Sequence, residues 1–313
     1  MDFRYHLVSL VAVFMALATG ILVGTSLLNQ SLIDSQRSTI AGLADEKDAL
    51  RHDLATAQNQ VGYRDEYLAS LHDTLLAGRL VGHHVVLVAL PGTARKDVDG
   101  LTKTLQDAGA QIAGRIDVNA DFFDTTSQSD SVGKAILRDQ TIRSYALSDV
   151  KGSGAEAQLA GALVSRTPKG LEPAAAELVN QLDRAGLISR EQLTDRGDLA
   201  VLLTGNPAGK SGPADERITT GSVRLAAALE TAGEGTVLAG PATAALAGPV
   251  VAVRRDGTVS AAVSTVDGID SPFGQVAVAY ALVEQIAGSS GQYGGADSGD
   301  APLPQFRVPP AKK

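Results

Sequence analysis

Residues 7–28 read LVSLVAVFMALATGILVGTSLL and contain no ionisable side chain. A helix of that length, rising about 1.5 Å per residue, crosses a hydrocarbon layer roughly 30 Å thick. The pattern predicts a transmembrane anchor, which we assign to residues 1–30. The alternative is a secretory signal cut after Ala16-Leu17-Ala18. Because the apolar run continues to Leu28, the sequence favours an uncleaved anchor.

Small residues recur at every fourth position of this segment, at Ala16, Gly20 and Gly24. This spacing lets two helices approach closely, so the three positions are candidates for helix packing. The same spacing also arises without that role in a chain rich in Ala and Gly. The short N-terminus before the apolar run predicts a single-pass plasma-membrane protein, with its C-terminal bulk outside the cytoplasm in the cell envelope.

A heptad pattern follows the apolar segment and predicts a coiled-coil stalk over residues 31–78. With Ile33 taken as position a, ten of the thirteen a and d positions are apolar, and the other three are Gln36, Lys47 and Arg64. Lys47 and Arg64 weaken a symmetric dimer, because like charges would face each other. A homodimer and a hetero-coiled-coil with another envelope protein both stay open, as does one amphipathic helix lying on its own domain or on a different protein. The predicted interface residues are Ile33, Ile40, Leu43, Leu50, Leu54, Ala57, Val61, Leu68, Leu71 and Leu75.

The period changes at the His83-His84 pair, where a globular α/β domain is predicted over residues 79–290. The apolar run His84–Leu90 predicts a buried strand. A helix at Asp97–Gly109 and a second strand at Gln111–Val118 complete a βαβ unit, whose two strands are parallel. We therefore predict a three-layer α/β domain with a mostly parallel sheet.

The second half of the domain repeats these patterns, and the chain then loses its periodicity. Residues 291–313 are rich in Gly, Ser and Pro and predict a disordered tail. Further strands are predicted at Leu199–Leu203, Thr236–Ala239, Pro249–Val253 and Ser260–Val266, with a hairpin as one way to join the last two. Further helices are predicted at Ala155–Val164, Pro173–Ala185, Ser222–Thr231 and Ser271–Ile286.

Composition excludes several classes of function. The net charge of −8 argues against a nucleic-acid-binding surface, which would need a basic face. The chain has no cysteine, so disulfides, Cys-ligated zinc and iron–sulfur clusters are excluded. With two methionines besides, a soft copper(I) site has almost no ligands. No cofactor is predicted.

Two glycine-rich stretches resemble nucleotide-binding motifs without matching them. Gly205-Asn-Pro-Ala-Gly209-Lys210-Ser211 has three residues between its glycines where the phosphate-binding loop needs four. Gly212-Pro213 follows, and we predict that no helix begins there, so we interpret the stretch as a flexible loop. Gly152-Ser-Gly154-Ala-Glu-Ala157 lacks a strong preceding strand and is interpreted as a helix cap.

Two polar pairs remain as candidate sites. His83 and His84 are weak candidates for metal ligands, because adjacent side chains in a strand point to opposite faces and do not easily share one ion. Asp267 and Asp270 end a predicted strand, where ligands commonly bind, and two carboxylates could do acid/base chemistry. No histidine or nucleophile lies near them in sequence, so turn and capping roles are favoured and no enzyme is predicted.

Two blocks of the chain carry a family resemblance. They are HLVSLVAVFMALATGILVGTSLL, starting at His6, and VSTVDGIDSPFGQVAVAYALVEQIAGSSGQYG, starting at Val263. With them the chain resembles the mycobacterial copper transport protein B family. The resemblance implies an actinobacterial cell-envelope protein, described as channel-like and limiting copper accumulation. Corynebacterial relatives imply roles in envelope integrity and cell division beside a membrane partner.

The resemblance supplies no catalytic or metal residues. Because the predicted strands are short, buried and interleaved with helices, they are typical of a soluble sheet and favour a scaffold over a pore. We therefore predict a non-enzymatic, membrane-anchored envelope protein that acts as a coiled-coil scaffold or interaction module. The alternatives are a copper efflux or channel component, with copper as the ligand, and an enzyme with its site near Asp267 and Asp270.

Overall fold

The computed structural model describes residues 3–124, 154–167, 170–206, 212–295 and 299–304. Two compact units emerge from the contacts, residues 1–64 and residues 65–313. The first unit is helical. It belongs to α1, Phe3–Leu76, whose last turns lie in the second unit. No proline interrupts this helix, so each amide can keep its partner four residues earlier.

The apolar start of α1 is long enough to cross a membrane. The segment Arg4–Gly24 has a mean hydropathy of 2.5, and none of it is buried in the protein. Length and composition thus agree with the predicted N-terminal anchor, because a fully exposed apolar helix is unfavourable in water.

The second unit is an α/β domain built on a seven-stranded sheet with the order β3-β2-β1-β4-β5-β6-β7. All neighbouring strands are parallel except β2 and β3. The predicted mostly parallel sheet is confirmed. The strands are β1 His84–Ala89, β2 Gln111–Val118, β3 Ile188–Glu191, β4 Leu199–Leu203, β5 Gly235–Gly240, β6 Ser264–Asp267 and β7 Gln292–Tyr293.

Helices cover both faces of the sheet, so the domain has three layers. Along β1, Val86 and Val88 join one core cluster while Val85 and Leu87 join the other. One face packs against α2 Arg95–Asp107, α8 Pro272–Ile286 and the end of α1. The other packs against α3 Ala155–Leu163, α4 Pro173–Arg184, α5 Pro213–Ala232 and α6 Pro249–Arg255. Short helical turns lie at Ala120–Phe123, Ala242–Ala245 and α7 Gly257–Ser260.

One predicted strand is wrong. Pro249–Val253, read as a strand from its valines, forms the first part of helix α6. Gly248 has a φ of +86°, a value that glycine adopts without strain, and it precedes the first residue of the helix. Pro249 is that first residue, a position where proline is favoured because its missing N–H would have no helical partner. The predicted strand at Ser260–Val266 is correct only from Ser264, so no hairpin forms here.

Three further differences concern polar segments. Helix α5 begins at Pro213, although the sequence predicted no helix start there and placed the helix from Ser222. The antiparallel strand β3 was not predicted, because its sequence, ISRE, is short and mostly exposed at the sheet edge. Part of the predicted disordered tail is ordered: Gln292 and Tyr293 are buried in β7.

Candidate functional site

The carboxyl edge of the sheet contains the topological switch point. Strands β1 and β4 are neighbours: after β1 the chain continues to β2 on one side of this pair, and after β4 it continues to β5 on the other side. Ligands of open α/β sheets commonly bind in the crevice at such a point. A cavity of about 700 Å³ lies here, lined by residues that include Pro91, Thr204, Asn206, Asp215, Thr219 and Arg255.

The two loops that bound this cavity touch each other. A Cβ atom on Gly205 would lie 1.9 Å from the carbonyl oxygen of Gly92, which itself has a φ of +84°. Gly205 is therefore required by the close approach of the two loops. Residues 207–211 of the predicted flexible loop lie outside the described residues.

The start of α5 beside the cavity already has an anionic cap. The amide of Gly212 donates to Asp215 Oδ2 at 3.0 Å, and Glu216 follows in the same turn. These carboxylates stabilise the helix N-terminus and would repel a phosphate there. The geometry therefore does not favour a nucleotide at this helix, although a helix does begin where none was predicted. The second glycine motif begins at Gly152, and residues 152 and 153 lie outside the described part.

Asp267 is buried in an ion pair. Its Oδ2 lies 2.9 Å from Arg254 Nη2, and both side chains are less than 5% exposed. Its Oδ1 accepts a hydrogen bond from the amide of Gly295 at 2.9 Å, and Arg254 donates to the carbonyl of Tyr293 at 2.7 Å. The ion pair thus holds the backbone of β7 and the residues after it against the end of β6, which is a structural role.

Asp270 is exposed and links the loop after β6 to the start of the helical turn Ala242–Ala245. Its Oδ1 accepts a hydrogen bond from the amide of Ala242 at 3.1 Å. Ser271 caps α8, accepting from the amide of Gly274 at 3.3 Å. The nearby carboxyl of Asp97 has a raised pKa, mainly because of burial, with a smaller contribution from Asp270 and an opposing one from Lys96. Asp267 and Asp270 therefore have separate structural partners.

At the opposite, amino edge of the sheet, the two adjacent histidines have different carboxylate partners. His83 Nδ1 lies 2.6 Å from Asp198 Oδ2, and His84 Nδ1 lies 3.3 Å from Asp195 Oδ2. The other oxygen of Asp198 accepts a hydrogen bond from the amide of His84 at 2.6 Å. The two imidazoles point to different partners, as expected for neighbours at a strand start.

Glu234 completes a group that we call the amino-edge cluster: His83, Asp198 and Glu234. One ligand atom from each residue lies within 4.8 Å of the others. Sequence reasoning missed Asp198 and Glu234. Each immediately precedes a strand, β4 or β5, and the amino ends of adjacent parallel strands meet at one edge. That position was the signal available in the sequence.

The predicted coiled-coil residues of the first unit present an apolar row to solvent. Their side chains are between 53% and 66% exposed at Ile40, Leu43, Leu50, Leu54 and Val61. Ala57 is also exposed, and the side chain of Ile33 lies outside the described set. The more C-terminal positions Leu68, Leu71 and Leu75 are half-buried. Pairing of this row with another chain stays a prediction.

The predicted helix-packing positions are open as well. Ala16 is exposed, and a Cβ placed on Gly20 or Gly24 would meet no described atom within 4 Å. The small residues thus leave a shallow surface on α1 that could admit another helix.

The end of α1 is fixed to the α/β domain. Leu76 is fully buried in the core, and the hydroxyl of Tyr280 on α8 donates to the carbonyl of Leu75 at 2.7 Å. The guanidinium of Arg79 lies 5.5 Å from the ring centre of Tyr280. Any movement of this end of α1 is therefore coupled to the sheet through α8.

A family model and individual relatives both match this chain over most of its length. The family described as copper transport outer membrane protein, MctB, matches residues 1–304. The chain is 34% identical to the copper transporter MctB of Mycobacterium tuberculosis and to that of Mycobacterium bovis, over 93% of this chain and 95% of each relative. It is 28% identical to that of Mycobacterium leprae over the same shares.

Proposed function

This chain belongs to the MctB family of copper transport proteins, and from that premise we propose that it is a non-enzymatic, single-pass membrane protein of the cell envelope. Its N-terminal helix anchors it in the plasma membrane and its C-terminal bulk lies outside the cytoplasm. The heptad row on α1 pairs with a second helix, so that the protein acts as a scaffold or interaction module. Envelope integrity or cell division is the process it would serve.

One observation carries this proposal. A row of large apolar side chains at heptad spacing is more than half exposed on a helix whose apolar start is itself unburied. Leucine and isoleucine side chains at a and d positions bury that area when two helices pair. Each fully buried side chain contributes roughly 1.5–3 kcal/mol, so a seam of five or more supports association.

The absence of cysteine makes a direct test of pairing available. Leu50→Cys places a unique thiol at a d position, and we expect an inter-chain disulfide in membranes under mild oxidation. His52→Cys, on the opposite side of the heptad, is the matched control and should crosslink little. Equal crosslinking of both variants, or crosslinking of neither, would count against a homodimer. A disulfide-linked adduct of another mass, formed by Leu50→Cys but not by His52→Cys, would indicate a hetero-coiled-coil with a partner that has a cysteine.

Orientation has a separate test. Ser38→Cys lies on α1 beyond the apolar segment, and its position is exposed. We expect a membrane-impermeant maleimide to label it in intact cells. Labelling only after cell lysis would place the C-terminal bulk in the cytoplasm and overturn the proposed topology.

A second candidate function is a copper efflux component. It is favoured by the similarity, over 93% of this chain, to relatives named copper transporter. Deleting the protein should then raise cellular copper, measured by mass spectrometry. Retention of normal copper levels together with a cell-shape defect would favour the scaffold alone.

A further inference from the structure

The amino-edge cluster joins three neighbouring strands through their first residues. His83 precedes β1, Asp198 precedes β4 and Glu234 precedes β5, and these strands are adjacent and parallel in the sheet. The amide of Glu234 donates to the carbonyl of Asp198 at 2.7 Å, which fixes the two chain segments side by side. The backbone thus holds the three side chains on rigid elements.

Asp198 is the buried centre of this arrangement. It is 5% exposed, and its two oxygens lie 2.6 Å from His83 Nδ1 and from the amide of His84. The His83 side chain is 22% exposed, and Glu234 is at the surface. The cluster is therefore ordered at its base and reachable from solvent on its outer side.

We propose that the amino-edge cluster binds a divalent transition-metal ion, with Cu²⁺ bound more tightly than Zn²⁺. A ring nitrogen of His83 and carboxylate oxygens of Asp198 and Glu234 are the ligands. One imidazole and two carboxylates neutralise a doubly charged ion and suit borderline metals, whose affinities follow the Irving–Williams order. The cluster has no thiolate or thioether, so it does not suit Cu⁺.

The ligand atoms are close enough for this role after a small rearrangement. They lie within 4.8 Å of one another, and the exposed Glu234 side chain can rotate toward the other two. His83 Nδ1 and Asp198 Oδ2 lie 2.6 Å apart, and an ion bound to both atoms takes the place of the proton between them. This site does not depend on helix pairing, so it goes beyond the scaffold function proposed above.

The test uses the full-length protein in detergent micelles, titrated with CuCl₂ or ZnCl₂ in a calorimeter. We expect one Cu²⁺ site per chain, with weaker Zn²⁺ binding. His83→Gln should weaken Cu²⁺ binding at least tenfold and remove imidazole nitrogen coupling from the electron paramagnetic resonance spectrum. His84→Gln is the matched control, because the imidazole of His84 contacts Asp195. This variant should keep both the Cu²⁺ affinity and the imidazole coupling in the spectrum.

A second variant protects the test against a folding defect. Glu234→Gln changes an exposed side chain, so it should leave thermal unfolding unchanged while weakening Cu²⁺ binding. Unchanged affinity in both His83→Gln and Glu234→Gln would overturn the proposal. So would an equal loss in His84→Gln or in the distant His52→Gln, or no binding to the unaltered protein.

Discussion

Two carboxylates of the α/β domain have different surroundings: among the described residues, the buried Asp267 contacts a guanidinium, whereas the half-buried Glu230 forms no ion pair. Asp267 lies 2.9 Å from a guanidinium nitrogen of Arg254. Glu230, at the end of α5, has one oxygen without a hydrogen-bond partner among the described residues. Burial raises the pKa of Glu230 from an ordinary 4.5 to about 7, although the amide of Thr236 and the charge of Arg166 oppose the shift.

This residue predicts a pH dependence of stability. The folded state holds the Glu230 proton more tightly than the unfolded state, so stability falls as the pH rises from about 4.5 through 7. Glu230→Gln removes the ionisation and should stabilise the protein at pH 8 by roughly 1–3 kcal/mol. Urea unfolding at pH 8 and at pH 4.5 measures this, and the benefit should disappear at the lower pH. A gain of equal size at both would contradict an effect of ionisation.

Neutralising Asp267 should lower the folding stability, in contrast to neutralising Glu230. Asp267→Asn removes the carboxylate that lies 2.9 Å from the buried Arg254 guanidinium and should cost about 3–5 kcal/mol of folding stability. The variant should also loosen β7, because Arg254 and Asp267 both hold backbone groups of residues 293–295. Limited proteolysis should then cleave after β6 faster than in the unaltered protein. Asp270→Asn, an exposed control, should change stability by less than about 1 kcal/mol.

At the scale of elements, the end of α1 belongs to the core of the α/β domain. Leu76 is fully buried, so Leu76→Ala should cost about 2–5 kcal/mol. Tyr280→Phe removes the hydroxyl that donates to the Leu75 carbonyl and should cost about 1 kcal/mol. Thermal unfolding compares the two. If Leu76→Ala had no effect, the end of α1 would not be part of the cooperative domain.

The elements that sequence predicted best are those with a strong apolar period. The strands at residues 111–118 and 199–203 have their predicted bounds: the second is buried at every residue, and the first is a mixture of buried and partly buried residues after an exposed Gln111. Helix α6 was mistaken for a strand, since a run of valines satisfies either structure until its neighbours are known. Strand β3 has a single buried apolar residue, Ile188, which is too little to form an apolar pattern, and the strand is held by its pairing with β2.

For the whole molecule, the contacts that hold the α/β domain lie within residues 65–313. We expect a fragment of these residues to fold as a soluble protein with the thermal midpoint of the full chain's domain. A fragment of residues 82–313 is the control, because it lacks the buried Leu76 and Leu80 and should be less stable. Circular dichroism measures both. Equal midpoints would show that the end of α1 does not contribute.

By itself the sequence determined the apolar segment, the long helix and the mostly parallel α/β sheet, because each follows from a local periodicity. It could not determine which polar residues meet. Asp198 and Glu234 lie more than a hundred positions from His83, and only strand order brings them to one edge. In the same way, the ion pair between Asp267 and Arg254 forms only when the folded chain places the two side chains together. Hydrophobic periodicity is a local property of the sequence, whereas contacts between distant residues exist only after the sheet has formed.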